Sequence, residues 1–252
     1  MFDKDLYLSA LNTLYMGRKY VFIDSVSSTN DFLTDSQERA GYLAIARVQT
    51  KGRGRSGKSW FSYDGGLAFS VVLPELLPQH LMPLNIIVGY SVAETLKKYA
   101  PVKVKWPNDC VTDMGKICGT LIDTRFKGGS LEKAVLGIGI NLFETDFPKD
   151  TVAMGDYLSK YVKGDICREV IVAEILNELE KLIDKLVNGS IDIVAQWPLY
   201  SANIGKNIIV NINGRKFNLV EKGIDSNGFL ITEGVDGERI ITSGEIGYDF
   251  GC

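Results

Sequence analysis

A chain of 252 residues suffices for one large domain, or one large and one small, and its 28 Lys and Arg against 31 Asp and Glu leave a net charge of −3. So even a balance argues against a general binder of nucleic acid or other polyanions. No apolar run approaches the roughly twenty residues that span a bilayer, and Met1-Phe2-Asp3-Lys4-Asp5 lacks the basic-then-apolar pattern of a secretory leader, so a cytoplasmic protein is expected.

In chain order, Met1 to about Met16 reads as a short amphipathic helix and Tyr20 to Asp24 as a strand. Ser27-Ser28-Thr29-Asn30 is rich in capping residues, which predicts a helix over Asp31 to Arg39. Leu43, Ile45 and Val48 mark the next strand; Leu67 to Leu73, closed by Pro74, is a buried one. Pro83 opens a helix running to about Tyr99. Strands follow at Val102 to Lys105, Asn108 to Thr112, Lys116 to Arg125 and Lys133 to Leu142. Glu169 to Val187 carries apolar residues on a 3.6 period, and a further helix spans Ile191 to Tyr200. Beyond about Ala202 the texture changes. Asn213-Gly214, Asn227-Gly228 and Asp236-Gly237 are hairpin dipeptides between short strands such as Ile208 to Ile212 and Phe229 to Thr232, so a small β-barrel that caps the larger domain is expected.

Gly52-Arg53-Gly54-Arg55-Ser56-Gly57-Lys58-Ser59 spells the P-loop consensus. A P-loop needs a helix leaving the glycines, so that its first amides face phosphate. Here Trp60-Phe61-Ser62-Tyr63-Asp64-Gly65-Gly66 follows, which reads as turn and then strand. What remains is a flexible loop with Lys51, Arg53, Arg55 and Lys58 and no acid, expected to be mobile until an anion organises it. A solvated basic turn and an Arg-Gly tract for RNA are the competing readings. His80 is the only histidine, and Cys110, Cys118, Cys167 and Cys252 show no paired spacing. Triad and zinc chemistry are therefore disfavoured, leaving Lys, Arg, carboxylates and amides to act.

Three more segments concentrate chemistry. Lys105-Trp106-Pro107-Asn108-Asp109 gathers a base, an aromatic, an amide and an acid. Lys116-Ile117-Cys118-Gly119 starts an apolar strand with a lysine and sets a glycine three residues on. Gly137-Ile138-Gly139-Ile140-Asn141 is half a dinucleotide fingerprint without the third glycine or the helix, and a close-packed strand crossing explains it as well. The order of these segments, with Ser28-Thr29-Asn30 before them and Trp60 after the glycine loop, closely resembles the biotin protein ligase family over about residues 20 to 145. Gly244-Glu245-Ile246 extends the resemblance weakly. Lipoate ligases and octanoyltransferases share that fold but lack the tryptophan-bearing glycine loop and the Lys-Trp-Pro-Asn-Asp signature.

The resemblance implies an α+β fold, a mixed or antiparallel sheet with flanking helices of class II synthetase-like type, plus a small C-terminal SH3-like barrel. The corresponding division is 1–202 for catalysis and 203–252 for the barrel. It implies an ATP-dependent ligase that makes biotinyl-5′-AMP from biotin and Mg-ATP, then biotinylates one lysine of a biotin carboxyl carrier domain. Lys116 would touch the biotin carboxyl and the α-phosphoryl oxygens and, with Arg55, carry catalysis. Ser28, Thr29, Asn30, Gln49, Gly52, Arg53 and Gly119 would meet biotin. Arg53, Arg55, Trp60, Lys105, Asn108 and Asn141 would meet the nucleotide, and Asp109 would ligate Mg²⁺. Many relatives carry arginine where Ser56 and Lys58 stand, and a C-terminal arginine of some members falls near Asp249. About twenty residues before the first family strand cannot hold a helix-turn-helix, so a monofunctional type without sequence-specific DNA binding is expected. Monomer and homodimer both stay open.

Overall fold

A computed structural model describes residues 2–147 and 155–247. Its first half is a seven-stranded sheet built from β1 (Tyr20–Val26), β2 (Leu43–Gln49), β3 (Gly66–Val72), β4 (Lys103–Lys105), β5 (Asp109–Thr112), β6 (Gly115–Lys127) and β7 (Ser130–Asn141). The strand order is β1-β2-β3-β7-β6-β5-β4. β1 and β2 run parallel, and the other pairs are antiparallel. The parallel pair requires a crossover, and α2 (Thr29–Asp35) supplies it. Ser28 is its N-cap, accepting from the Asp31 amide, so the helix starts two residues earlier than the sequence suggested. It also stops earlier, at Ser36, where Lys133 Nζ donates to the carbonyls of Leu33 and Ser36.

Leu33 of α2 packs with Ala44, Val72 and Val135 on one sheet face. The opposite face packs under α3 (Leu81–Leu96) and α4 (Arg168–Val187), with α5 (Ile193–Tyr200) beside α3. Along α4, Ile171, Val172, Ile175, Leu176, Leu179 and Ile183 are buried, as the helical period demands. Each such side chain contributes about 1.5–3 kcal/mol by burial. The N-terminal helix is shorter than its pattern implied: α1 covers Lys4–Ala10. Glu180 of α4 explains the stop, because its carboxylate accepts from the amides of Leu14, Tyr15 and Met16 and fixes that segment as a turn.

Residues 207–246 form a second, antiparallel sheet: β8 (Asn207–Ile212), β9 (Arg215–Ile224), β10 (Leu230–Gly234), β11 (Gly237–Ile241) and β12 (Glu245–Ile246), ordered β11-β10-β9-β8-β12. β9 follows directly on the Asn213-Gly214 turn and pairs with β8 on one side and β10 on the other. This part of the chain is bonded to the first sheet, to its β4–β5 turn and to α5. Lys105 Nζ donates to the Ile246 carbonyl at 2.6 Å, Trp106 Nε1 to the Gly228 carbonyl at 3.0 Å, and Trp197 Nε1 to Glu221 Oε1 at 2.8 Å. No helix among the described residues is long and apolar enough to cross a membrane.

Candidate functional site

The sheet register builds the floor of a cleft. Ala46 pairs Ala68, Ala68 pairs Gly139, Gly139 pairs Gly119, Gly119 pairs Asp109, and Asp109 pairs Lys105. Four strands thus contribute two alanines and two glycines in one row, and two more strands end it in an acid and a base. Gly139, Gly119, Asp109 and Lys105 of this row line a cavity of about 710 Å³. Thirteen of the fourteen residues implicated from sequence line it: Ser28, Thr29, Asn30, Gln49, Arg53, Arg55, Trp60, Lys105, Asn108, Asp109, Lys116, Gly119 and Asn141. Gly52 stands outside the lining. Its carbonyl accepts from the Trp60 amide at 2.9 Å, closing the base of the glycine loop.

The glycine loop is a hairpin, with Arg53 bridged to Ser59 and a single 3₁₀ turn at Arg55–Gly57 in which Ser56 adopts φ 54°. No helix starts at Lys58, as the P-loop argument required. The loop cations Arg53, Arg55 and Lys58 are paired with groups on other elements. Arg53 Nη2 reaches Asp31 Oδ1 at 2.5 Å and Asp123 Oδ2 at 2.6 Å; Arg55 Nη1 donates to Asn108 Oδ1 at 3.2 Å; Lys58 pairs with Glu245 of β12. These acids lie on other elements, so the local sequence could not reveal them. Burial works against the Arg53 charge, but Asp123 and Asp31 outweigh it and raise its pKa.

Trp60 lies on the floor. A β-carbon on Gly139 would sit 2.3 Å from Trp60 Cε2, and one on Gly119 would sit 3.0 Å from Trp60 Cζ3. The two glycines therefore make room for the indole in this structure, where the sequence reading placed a ligand against Gly119 and an adenine against Trp60. Lys116 Nζ stands 5.6 Å from the Trp60 ring centroid and 2.6 Å from Asp109 Oδ1. Residues 116 and 119 should face opposite sides of a regular strand. The register slips between Cys110 and Val111, giving β6 one extra residue and bringing Lys116 over Gly119.

Lys105 is 6% exposed, and its Nζ lies 3.8 Å from Asp109 Oδ2. Burial lowers its pKa to about 8, which Asp109 only partly offsets. Asn108 Nδ2 donates to the Thr120 carbonyl, and Asn141 Nδ2 to the carbonyls of Lys116 and Asp156, so both amides brace the backbone of the walls. At the other end, Gln49 Oε1 accepts from the Thr29 amide at 2.8 Å, and Thr29 Oγ1 lies 2.6 Å from Ser70 Oγ. Ser70 and Asp123 were not singled out from sequence; neither belongs to a motif. Asn211, Lys216, Glu245 and Ile246 also line the cavity, so the C-terminal sheet is a wall of the site and more than a cap. Asp249 lies outside the described residues.

Among the described residues no cluster of three His, Cys, Asp or Glu is disposed to hold a metal. A single carboxylate fits Mg²⁺ when phosphates supply the remaining oxygens, and Asp109 offers hard oxygen at the end of the cavity where Lys105 and Lys116 stand, its charge balanced by their two ammonium groups.

Residues 22–141 match the model of the biotin/lipoate A/B protein ligase family. The bifunctional ligase/repressor BirA of Bacillus subtilis is 29% identical over 246 residues, 94% of this chain and 76% of that protein. The biotin--[acetyl-CoA-carboxylase] ligase of Paracoccus denitrificans is 27% identical over 212 residues, 80% of this chain and 88% of that one. Among solved structures, a biotin protein ligase from Aquifex aeolicus in complex with biotin and ATP superposes with a TM-score of 0.78 at 26% identity, covering 91% of this chain and 97% of that one.

Proposed function

We propose that this chain, whose residues 22–141 match the model of the biotin/lipoate A/B protein ligase family, is an ATP-dependent biotin protein ligase. In the first step a biotin carboxylate oxygen attacks the α-phosphorus of ATP, the bond to the β-phosphate oxygen breaks, and pyrophosphate leaves. In the second, the amine of an acceptor lysine attacks the carbonyl of the mixed anhydride; AMP leaves and the amine gives up a proton. The acceptor is a biotin carboxyl carrier domain. Residues 1–202 are read as the catalytic domain and 203–252 as a second domain that completes its wall.

One observation carries this reading: the glycine loop and Lys116 meet over the same small-residue floor. Both reactants are anions, and their approach is opposed until cations in a poorly hydrated cleft screen them. Lys116 stands where it can bridge the two, trading its 2.6 Å contact with Asp109 for carboxylate and phosphoryl oxygens. Lys105, close to half neutral near pH 8, gains its full charge when a phosphate arrives. Arg55 approaches the same end from the loop. Magnesium, held by Asp109, would supply further charge to the triphosphate. The Gln49, Thr29 and Ser28 group suits the donors and acceptors of a ureido ring, and the loop shields the anhydride from water.

The test is incubation with ATP labelled at the α-phosphate and either biotin or lipoate. Labelled biotinyl adenylate, followed by transfer to a carrier domain, is expected. Acyl-adenylate with lipoate alone would move the chain to the lipoyl branch of the family, and steady ATP hydrolysis without either acid would refute the assignment.

A further inference from the structure

Behind the polar end of the cavity runs a chain of hydrogen bonds whose direction can be worked out. Asn30 Nδ2 donates to Asp123 Oδ2 at 2.7 Å, and Ser70 Oγ donates to Asn30 Oδ1 at 2.6 Å. A carboxylate only accepts, so the Asn30 amide nitrogen must face Asp123 and its oxygen must face Ser70. Ser70 has one proton and spends it on that oxygen. The 2.6 Å contact between Thr29 Oγ1 and Ser70 Oγ therefore needs the proton of Thr29. Gln49 Oε1, 3.0 Å from the Thr29 hydroxyl, is served by the Thr29 backbone amide instead. The three protons run in one direction, from Thr29 through Ser70 and Asn30 to Asp123, and Thr29, which lines the cavity, is left with its hydroxyl oxygen as an acceptor.

The same carboxylate holds the glycine loop. Arg53 Nη2 reaches Asp123 Oδ2 at 2.6 Å and Asp31 Oδ1 at 2.5 Å. The Asp31 carboxylate makes the loop contact and takes no part in the chain of hydrogen bonds through the Asn30 side chain. Asp123 does not line the cavity, whereas Thr29, Asn30 and Arg53 do.

We propose that Asp123 is a positioning residue with two linked tasks: it sets Thr29 to accept a ligand N–H, and it anchors Arg53 so that the loop closes over that ligand. The ligand is a small neutral group that donates hydrogen, here the ureido ring of biotin, so the proposal rests on the function proposed above. Chains of this kind strengthen as their links polarise one another, and an anion at the far end reinforces the effect.

The test is a double-mutant cycle on biotin binding by calorimetry, with Asp123→Asn and Thr29→Val singly and together, plus Asp31→Asn. A charge-assisted bond at the chain end predicts that Asp123→Asn weakens biotin about tenfold or more. In the Thr29→Val background the same change should cost less than about threefold, since the acceptor it orients is gone. Asp31→Asn should speed tryptic cleavage after Arg53 and Arg55 in the presence of biotin as Asp123→Asn does, but weaken biotin less. Ser70→Ala cuts the chain and spares Arg53, and carries the affinity comparison should Asp123→Asn fail to fold; it should weaken biotin and leave the loop protected. Equal losses from Asp123→Asn in both backgrounds, or no loss in either, would overturn the proposal while the ligase assignment stood. A wild-type chain that binds no biotin would overturn both.

Discussion

Replacing Lys105 by methionine tests the electrostatics of the site through stability. The side chain is almost fully enclosed, hydrogen-bonded to the Ile246 carbonyl and near Asp109, and burial brings its pKa from 10.5 down to about 8. A lysine that holds its proton less tightly folded than unfolded penalises the fold wherever the unfolded chain binds the extra proton. Stability is therefore lowest below about pH 8 and recovers as pH climbs toward 10.5. At about 1.4 kcal/mol per pH unit of displacement the whole penalty is about 3 kcal/mol. Of this, roughly 2 kcal/mol should return between about pH 7 and pH 9.5. Buried tyrosines such as Tyr7, Tyr63 and Tyr90, whose pKa values burial raises, favour loss of stability above about pH 10, so the titration stops before them. Urea midpoints followed by tryptophan fluorescence, for wild type and Lys105→Met across that range, give the difference curve. Wild type should gain about 2 kcal/mol on the variant as pH rises, whatever constant offset the lost hydrogen bond adds. A flat difference, or one falling with pH, would refute the burial argument.

Other outcomes follow from the same geometry. Lys116→Ala should slow adenylate formation about 100-fold or more with the unfolding midpoint little changed; turnover near wild type would remove Lys116 from its role. Gly139→Ala puts a methyl 2.3 Å from the Trp60 ring, so about 1–3 kcal/mol of stability should be lost, or the indole expelled with a red-shifted emission; an unaltered midpoint and spectrum would contradict that packing. Glu221 is fully buried, accepts from Trp197 and Ser201 through Oε1, and among the described residues its Oε2 meets no partner. Burial raises its pKa, so the wild-type fold loses stability as pH rises past about 4.5. Glu221→Gln should then be the more stable protein at pH 7, with the advantage shrinking toward pH 4.5; an advantage that grew on acidification would show the carboxylate to be well solvated.

Much of the fold was legible because the signals were local. Caps at Ser28, the 3.6 period of α4 and the glycine-rich hairpin each follow from a few adjacent residues. The glycines at 119, 137 and 139 were also visible, but their purpose was not. That Ala46, Ala68, Gly139 and Gly119 fall in one row depends on register across four strands, which no single segment contains. The slip that turns Lys116 onto the row is equally non-local. Asp31, Asp123 and Glu245, which hold the cationic loop, sit far from it in sequence and in no motif. Hence the sequence showed a charged, glycine-rich loop, and charge repulsion alone suggested mobility.

The contact between Lys105 and the Ile246 carbonyl has a consequence for biosynthesis. The lysine belongs to the middle of the polypeptide, and its acceptor belongs to a two-residue strand near the far end of the described residues. A nascent polypeptide can lay down the whole seven-stranded sheet on emerging from the ribosome and still lack this acceptor, along with the carboxylate that receives Lys58. The wall that Glu245 and Ile246 give the cavity is thus its last described part to be synthesised.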